Sequence, residues 1–405
     1  MESAGCLGVP DESPEEAEIE IVLGIWRMKR KYTCIDSFCG AGGLAVGLER
    51  AGFQLRFAFD ANERAVETFR SNISPRCLHA RAEDLTGKRI RSEAGLDEPI
   101  DLFAGGPPCQ GFSKQSRGAH LGDDRNELIL EYARLVRETK PRLFLLENVD
   151  QFGQKRGRGF VDRIRDELRG YELYPQFFNC ADYGLAQTRV RFIVVGKSKE
   201  LKAAFHVPGP SRQEWATVGE VLKGLPEPPS DYSEHPRFPN HYKARVTPIN
   251  IQRFSHVPQG GGWSDIPESL RLRCHRRVDR SSGGWPDVYG RLEVDGQAPT
   301  ITAGFDSFTR GRYGHPTQDR PLTPREAARL QGFPDDFRFF GTRWDVRSQI
   351  GNAVPPPLAE AIGRAVRRTL LIEDGVIRPG KDNSDITPEL ALQRSLDLVS
   401  EAASQ

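Results

Sequence analysis

The chain lacks the cysteine and hydrophobic patterns of secreted, zinc-ribbon and membrane-spanning proteins. Its seven cysteines are odd in number and contain no C-x-x-C pair, which argues against a disulfide framework and favours a reducing compartment. No apolar stretch approaches the ~20 residues that span a bilayer, and the acidic stretch at positions 10–20 is unlike a signal peptide. We therefore expect a cytoplasmic protein, or a nuclear one in a eukaryote, with no membrane partner and no metal site.

An excess of charge of one sign is also missing. The 405 residues carry 57 Lys and Arg against 56 Asp and Glu, which gives a net charge of +1. Because no basic field covers the whole chain, any surface for nucleic acid has to be local. The length is sufficient for two domains with substantial cores.

Strand-like and helix-like segments alternate over the first half of the chain. Apolar runs such as Leu143–Leu146 and Val190–Gly196 indicate buried strands, and Asn126–Thr139 has apolar residues at helical spacing. This alternation predicts an α/β fold with a Rossmann-like, mostly parallel sheet and helices on both faces. Near residue 206 the chain becomes rich in Pro, Gly, Arg, His and Trp, which indicates a smaller irregular domain. The predicted divisions are a flexible acidic leader (1–29), the first part of the α/β domain (30–205), the irregular domain (206–320), a return to the α/β domain (321–373) and a polar tail (374–405).

Cys109 is presented in a stiff segment. Residues Gly105–Ser113 read GGPPCQGFS and follow a predicted buried strand, Ile100–Ala104. Pro107 and Pro108 fix their φ angles and donate no backbone hydrogen bond, so they present the next side chain rigidly. Reactive groups of α/β enzymes lie at the carboxyl ends of strands. Cys109 is thus a candidate nucleophile, and the alternative is an ordinary buried thiol.

Glycines at the first strand-to-helix turn indicate a ligand site. Asp36–Gly43 reads DSFCGAGG, without the G-x-G-x-x-G or the lysine of phosphate-binding loops. A nucleoside that carries an amino acid suits this turn better than a pyrophosphate. Asp60 and Asp84 end the next two units, where they are placed to bind a ribose diol and an adenine amino group. Each acid alone has a simpler alternative role as a helix N-cap.

Two later segments bring charged groups to the same edge of the sheet. Glu147 ends the apolar strand Leu143–Leu146, where desolvation is expected to raise its pKa and let it donate as well as accept a proton. Arg189 and Arg191 point to one side of an extended segment and suit a phosphate or a carbonyl oxygen. The alternatives are a structural ion pair for Glu147 and a solvated rim for the arginines. By itself, Gln349–Pro356 (QIGNAVPP) predicts only a helix boundary.

Together these segments resemble the DNA cytosine-5 methyltransferases. Six motifs follow that family's order over residues 32–365: DxFxGxGG, PPCQGFS, ENV, QxRxR, REAARLQGFP and QIGNAVPP. The resemblance implies a class I methyltransferase fold with S-adenosylmethionine as methyl donor, and a DNA cleft between a large catalytic domain and a small target-recognition domain. It places the cofactor among residues of these segments: Asp36, Phe38, Gly40, Ala41, Gly42, Gly43, Asp60, Ala61, Asp84, Leu85, Pro108, Leu128, Asn352 and Val354.

The resemblance also implies a mechanism that explains the residue types. The thiolate of Cys109 adds to carbon 6 of cytosine, which makes carbon 5 nucleophilic enough to take the methyl group. Glu147 holds the exocyclic amine and N3 and supplies a proton, while Arg191 binds O2 with Arg189 beside it. A base inside a duplex cannot reach the thiol, so the target is flipped out, and segment 111–125 is expected to close over it.

Contacts to DNA are expected from loops and from a local basic run at 271–277. Segment 154–158 is a second candidate for backbone contact, although a basic run is otherwise simply a solvated face. The expected DNA-contacting residues are Ser113, Arg125, Gln187, Arg271, Arg273, Arg276 and Arg277. The expected partners are double-stranded DNA and, in a bacterium, a cognate restriction endonuclease. The enzyme is expected to act as a monomer on nucleoid DNA, and its target sequence cannot be read from these loops.

The chain departs from the family pattern in three places. Ala186 stands where the family commonly has proline, and Asp60 is a shorter acid than the usual glutamate. Ala61 offers no bulky side chain to stack on adenine. None of these positions touches the chemistry, and Ala61 is expected to weaken cofactor binding modestly.

Three other functions stay open on the sequence. A tRNA cytosine methyltransferase shares the catalytic motifs but typically has PPCQPFT and a Cys-Phe-Thr signature, whereas this chain has PPCQGFS and no Cys-Phe-Thr. A catalytically silent DNA-binding regulator is disfavoured because Cys109, Glu147 and Arg191 are all present. A dinucleotide oxidoreductase is disfavoured by the missing G-x-G-x-x-G.

Overall fold

A mostly parallel sheet forms the centre of the protein. The structure is a computed structural model that describes residues 31–108, 127–154, 158–211, 214–276 and 287–379. The strands in these ranges are β1 (Thr33–Ser37), β2 (Gln54–Asp60), β3 (Cys77–His79), β4 (Leu102–Gly105), β5 (Leu143–Val149), β6 (Tyr171–Asn179), β7 (Gln187–Thr188), β8 (Val190–Ser198) and β9 (Ala298–Pro299).

Helices connect the strands and continue beyond the last strand of the main sheet. Within the described ranges they are α1 (Gly43–Arg50), α2 (Glu63–Asn72), α3 (Gly87–Ala94), α4 (Glu127–Thr139), α5 (Asp150–Gly153), α6 (Arg158–Glu167), α7 (Val218–Leu222), α8 (Pro248–Phe254), α9 (Arg273–Arg276), α10 (Pro324–Leu330), α11 (Arg343–Asn352) and α12 (Pro356–Glu373). None of these helices combines the length and the apolar character that a membrane crossing requires.

The strand order explains where a ligand site can form. The described strands of the main sheet run in the order β3-β2-β1-β4-β5-β8-β6. Strands β3, β2, β1, β4 and β5 pair in parallel, whereas β8 is antiparallel to both β5 and β6. The predicted Rossmann-like class is therefore confirmed. The order reverses between β1 and β4, and ligands of open α/β sheets bind outside the carboxyl ends of the strands at such a reversal.

Helices cover both faces of the sheet, as continuously apolar strands require. On one face, α1 and α12 pack so closely that a Cβ at Gly47 would lie 2.4 Å from the carbonyl oxygen of Pro356. On the other face, α3, α4 and α6 contribute Ile90, Tyr132 and Ile164 to a second apolar core. Packing on both faces thus holds in place the strands whose carboxyl ends form the candidate ligand site.

The irregular region at 206–320 contributes to two further cores. One lies within the region and gathers Phe254, Val257, Trp263, Tyr289 and Phe308. The other joins residues of the region to the α/β part, for example Leu292 and Ile301 to Ala327 and Leu330. In addition, β9 of this region pairs in parallel with β7. The region therefore has a small core of its own and is also anchored to the α/β part.

Candidate active site

A cavity of about 550 Å³ opens at the carboxyl edge of the sheet. Its wall comes from the ends of β1, β2, β4 and β5, from the segment after β3, and from α11 with the residues that follow it. The predicted cofactor residues in this wall are Asp36, Phe38, Gly40, Ala41, Gly43, Asp60, Ala61, Pro108, Leu128, Asn352 and Val354. The topology thus brings together segments that lie up to 318 residues apart, from Asp36 to Val354 (354 − 36).

Three predicted cofactor residues do not line the cavity. Gly42 precedes α1 with φ +99°, and a Cβ there would meet Ile73 instead of the cavity. Leu85 is buried in an apolar core, and Asp84 is exposed. The residues just before them, 81–83, form the wall instead. At this end of the site, the cavity wall is therefore formed by the start of the 3₁₀ turn Ala82–Asp84 instead of by Asp84 and Leu85.

Asp36 is a buried carboxylate in the cavity wall. Its exposure is 0%, and neither carboxylate oxygen has a hydrogen-bond partner among the described residues. Burial, reinforced by the negative charge of Asp60, raises the pKa of Asp36 well above its usual range. The Ala45 amide, which faces Asp36 without standard hydrogen-bond geometry, lowers this pKa by less. Because an uncompensated buried carboxylate is costly, this position suits a cationic or hydrogen-donating ligand group.

Asp60 organises the glycine-rich turn. Its Oδ2 accepts a hydrogen bond from the Gly40 amide at 2.8 Å, and its Oδ1 accepts one from the Asn62 amide at 2.7 Å. A carboxylate oxygen has two acceptor positions, so each oxygen keeps one for a ligand hydroxyl. Phe38 has a φ of 52°, which is uncommon for a residue other than glycine, and its ring lies in the cavity wall beside Phe59. A carboxylate next to an apolar ring matches the two sides of a nucleoside.

Glu147 and Arg191 form a buried ion pair at the cavity. Arg191 Nε lies 3.0 Å from Glu147 Oε1, and each residue is 9% exposed. The pair is built by the antiparallel register of β5 and β8, in which Val149 lies opposite Arg191. Burial raises the pKa of Glu147 from its usual value, while the charges of Arg191 and Arg189 oppose this shift. A carboxyl group in this state can exchange a proton with a polar ligand edge.

The proline segment is tied to this pair. Asn148 Nδ2 donates a hydrogen bond of 3.1 Å to the carbonyl oxygen of Pro107. Gly106 lies against Glu147, because a Cβ at Gly106 would be 3.0 Å from Glu147 Oε2. Pro108 lines the cavity. The residues before the candidate nucleophile are therefore held next to the candidate acid.

Four predicted residues lie outside the described ranges: Cys109, Ser113, Arg125 and Arg277. The segment 111–125, which is expected to close over the target, lies outside them as well. The expected roles of these residues stay predictions. For Cys109, the nearest described residue in the chain is Pro108, in the cavity wall.

Arg189 is not positioned as the sequence suggested. Its side chain donates to the carbonyl oxygens of Ile301 at 3.0 Å, Gly351 at 3.1 Å and Ala353 at 3.0 Å, and the residue is 1% exposed. Burial, followed by the charge of Arg191, lowers the pKa of Arg189 to about 9. A guanidinium whose donors bind backbone carbonyls fixes those segments. The structure therefore gives Arg189 a structural role instead of the expected position beside the target base.

Gln187 also turns inward. Its Nε2 donates to the Leu330 carbonyl and to Gln331 Oε1, both at 3.0 Å, and its Oε1 accepts from the Ile301 amide at 2.7 Å. The side chain has no exposed surface. This burial corrects the expectation that Gln187 contacts DNA, because both ends of its amide are used inside the protein.

In the basic run at 271–277, one described arginine is hydrogen-bonded within the protein and two are exposed. Arg271 Nε and Nη2 donate to the carbonyl oxygens of Ile266 and Ser264, both at 2.7 Å. Arg273 and Arg276 are exposed on the short helix α9. Of these three residues, Arg271 is therefore bound within the protein, whereas Arg273 and Arg276 remain exposed.

Sequence reasoning missed part of the cavity wall. Ser348 and Gln349 lie in the last turns of α11 and line the cavity together with Asn352. Gln349 precedes Asn352 by three residues, a helical spacing, so the prediction of Asn352 as a cofactor residue offered a signal for Gln349 that was not used.

Within the described ranges, no group of three or more His, Cys, Asp and Glu side chains is arranged to hold a metal ion.

Comparison with known proteins agrees with this geometry. Residues 32–368 match a family model described as C-5 cytosine-specific DNA methylase. The chain is 33% identical to the Type II methylase M.HgiDII of Herpetosiphon aurantiacus, over 83% of this chain and 95% of the relative. It is 34% identical to the Type II methyltransferase M.BbvI of Brevibacillus brevis, over 91% of this chain and the full length, 100%, of the relative.

Solved structures share the architecture. A structure described as a prophage-encoded DNA modification methyltransferase (E. coli) is 30% identical, with a TM-score of 0.64 over 84% of this chain and 99% of the other. The Entamoeba histolytica methyltransferase EhMeth is 16% identical, with a TM-score of 0.55, and shows the fold alone.

Proposed function

This chain belongs to the C-5 cytosine-specific DNA methylases, and we propose that it transfers a methyl group from S-adenosylmethionine to carbon 5 of a flipped-out cytosine in a specific double-stranded DNA sequence. The observation that carries this proposal is the meeting of two features in one cavity. Asp36, whose buried carboxylate oxygens have no hydrogen-bond partner among the described residues, and Glu147, which pairs with Arg191, both line this cavity. The first suits a cationic cofactor, and the second suits the polar edge of a base.

The cavity fits S-adenosylmethionine. The buried oxygens of Asp36 lack donors, and the cofactor carries a positive ammonium group that would provide them. Asp60 keeps acceptor positions for a ribose diol, and Phe38 supplies an apolar ring beside it. When bound, the cofactor supplies an electrophilic methyl group on a sulfonium.

The chain's own residues then act on the cytosine. We assign to Glu147 the exocyclic amine and N3, because a buried carboxyl with a raised pKa can hold the base and supply a proton to N3. Arg191 lies against Glu147 and is assigned to O2. Cys109 is the proposed nucleophile, and its thiolate forms a bond to carbon 6 so that carbon 5 becomes nucleophilic. Loss of the carbon-5 proton then breaks the sulfur–carbon bond.

The burial of Glu147 and Arg191 supports base flipping as part of the proposal. Glu147 and Arg191 are each 9% exposed, so a base stacked in a duplex cannot contact them. We assign phosphate contacts to the exposed Arg273 and Arg276 and to the undescribed Ser113, Arg125 and Arg277. The Type II relatives support a role in bacterial restriction–modification. We further propose a cognate endonuclease as functional partner, action as a monomer, and a cytoplasmic location on the nucleoid.

Bisulfite sequencing of DNA from cells that express the chain tests the proposal. The expected result is protection of one cytosine within one recurring sequence, which is lost with Cys109→Ser. Unmethylated DNA together with methylated tRNA from the same cells would overturn the DNA substrate. Methylation of N4 or of adenine would overturn the position.

A further inference from the structure

One part of the cavity is lined by small side chains. Ala61 directly follows Asp60, Ala65 lies in the first turn of α2, and Ala80 and Ala82 follow β3. Because Asp60 is assigned to the ribose, the base of a bound nucleoside would lie among these methyl groups. Purine binding sites usually provide a broad apolar or aromatic surface for stacking. Phe38 supplies one aromatic ring in the cavity wall, and the four methyl groups add little to it.

A large aromatic ring stands near this part of the cavity. Trp344 is 58% exposed, the highest value among the exposed large hydrophobic side chains of the described ranges. It lies on α11 four residues before Ser348 and eight before Asn352, both of which line the cavity. Residues at i, i+4 and i+8 share one face of a helix. Trp344 is therefore the next side chain along the face that forms the cavity wall.

The start of α11 is also close to the alanine-lined part. Asp345, the neighbour of Trp344, interacts electrostatically with Arg64 at the start of α2. Only two residues separate Arg64 from Ala61 in the chain, and one of them, Asn62, lines the cavity. The start of α2, which follows Ala61, and the start of α11, which carries Trp344, are thus close enough for an electrostatic interaction.

The indole is held in place from one side. The Arg347 guanidinium lies over the Trp344 ring at 5.2 Å from its centroid. Arg347 in turn contacts Asp306 at 2.9 Å, and Asp306 also pairs with Arg343 at 2.5 Å while being only 3% exposed. The buried carboxylate of Asp306 therefore holds the Arg347 guanidinium against one face of the Trp344 indole, and the other face stays open. A ring ordered in this way loses little entropy when it stacks on a ligand.

We propose that Trp344 stacks on the adenine ring of the cofactor and supplies the aromatic surface that Ala61 does not. The inference rests on the proposed assignment of the cavity to S-adenosylmethionine. It makes Trp344 a cofactor-binding residue outside the motifs that identify the family in this chain. It also gives the buried Asp306 a function, because Asp306 positions the arginine that supports the ring.

Isothermal titration of the full chain with S-adenosylhomocysteine tests the inference without relying on turnover. We expect Trp344→Ala to raise Kd about tenfold, in the range of one aromatic–base stack, and Trp344→Phe to raise it only about twofold. Trp215→Ala is the matched control, because Trp215 is also exposed, at 43%, and binds Asp182 away from the cavity wall. It should leave Kd unchanged. Quenching of tryptophan fluorescence by the ligand should persist in Trp215→Phe and weaken in Trp344→Phe.

A Kd for Trp344→Ala within twofold of wild type overturns the inference. So does a selective loss of duplex DNA affinity in this variant, which would assign Trp344 to the DNA surface. If wild type itself fails to bind S-adenosylhomocysteine, the proposed function falls, and this outcome is distinct from equal binding by wild type and variant.

Discussion

The side-chain amide of Asn148 donates a 3.1 Å hydrogen bond to the carbonyl oxygen of Pro107, 41 residues earlier in the chain. Asn148 follows the proposed acid, Glu147, and Pro107 lies two residues before the proposed nucleophile, Cys109. This hydrogen bond joins the ends of β4 and β5 at the cavity. It therefore fixes the segment that presents the thiol relative to the group that holds the base.

Removing this link should slow chemistry more than it weakens binding. Asn148→Ala leaves the Pro107 carbonyl without its donor, and misplacement of a catalytic group by about 1 Å costs on the order of a hundredfold in rate. We expect a 10- to 100-fold lower single-turnover rate with the Kd for S-adenosylhomocysteine within threefold of wild type. Asn179→Ala is the control, because Asn179 also ends a strand but accepts from the Ala181 amide. An unchanged rate in Asn148→Ala would contradict the positioning role.

Substitutions of the two arginines of the QxRxR segment should differ, one lowering stability and the other lowering the rate. Arg189 reaches three carbonyls from two separate nitrogens. The single ammonium group in Arg189→Lys cannot occupy both positions, so the variant should lower the free energy of unfolding by about 2 kcal/mol, the cost of leaving a buried acceptor unpaired. Arg191→Lys should keep its stability and lose at least tenfold in rate, because Arg191 touches Glu147. Denaturant titration and single-turnover assays on both variants measure this contrast. Equal stability losses in the two variants would show that the roles are not divided in this way.

Asp36 should lower the stability of the protein and raise its affinity for the cofactor. Because the pKa of Asp36 is raised in the folded protein, its ionised form costs stability once the pH exceeds the unfolded-state pKa. The cost grows as the pH rises through the raised folded-state pKa and is absent in acid. The free energy of unfolding of Asp36→Asn should therefore exceed that of wild type by about 1–3 kcal/mol near pH 8, the range for an unsatisfied buried group. The gain should vanish in acid, and affinity for S-adenosylhomocysteine should fall at least tenfold.

Asp101 provides the matched control for this experiment. It is also buried, but its carboxylate accepts from the Thr33 amide and pairs with Arg142. Asp101→Asn should lose stability instead of gaining it, with cofactor affinity unchanged. A destabilised Asp36→Asn with wild-type affinity would contradict the assignment of Asp36 to the cofactor.

Glu147 should produce a recognisable pH dependence. Burial raises its pKa, so it stays protonated to a higher pH than an ordinary glutamate and loses its donor function as the pH rises further. We expect Glu147→Gln to reduce the rate by about a hundredfold or more. We expect an alkaline decline in the pH–rate profile of wild type, and the variant should lack it. Persistence of that decline in the variant would assign it to another group.

The sequence identified β4, β5 and β8 because strands buried on both faces are continuously apolar, as in Leu143–Leu146. It did not reveal β6, whose Tyr171–Asn179 stretch contains Pro175 and polar residues. It also missed most of α11, since polar and apolar residues do not segregate along that helix. A capping pair, Thr342 with Asp345, marks the start of α11 and was the available signal.

The site was predictable where the position of a residue in its motif also fixes its position in the sheet. Asp36 and Asp60 lie at the carboxyl ends of two consecutive strands of a strand–helix–strand unit, so their meeting could be inferred before the structure. The position of Arg189 could not, because its partners Ile301 and Ala353 lie 112 and 164 residues further along the chain. Local spacing shows which side of a strand a residue faces, but not what another domain places there.

Covalent capture tests the central claim most directly. Duplex DNA with 5-fluorocytosine at the target retains fluorine on carbon 5, so the bond between Cys109 and carbon 6 cannot be broken by loss of a proton after methyl transfer. With S-adenosylmethionine present, the wild-type chain should form a denaturant-resistant complex with this duplex, and Cys109→Ser should form none while still binding S-adenosylhomocysteine. An equally stable complex with Cys109→Ser, or capture of tRNA but not of the duplex, would contradict the account.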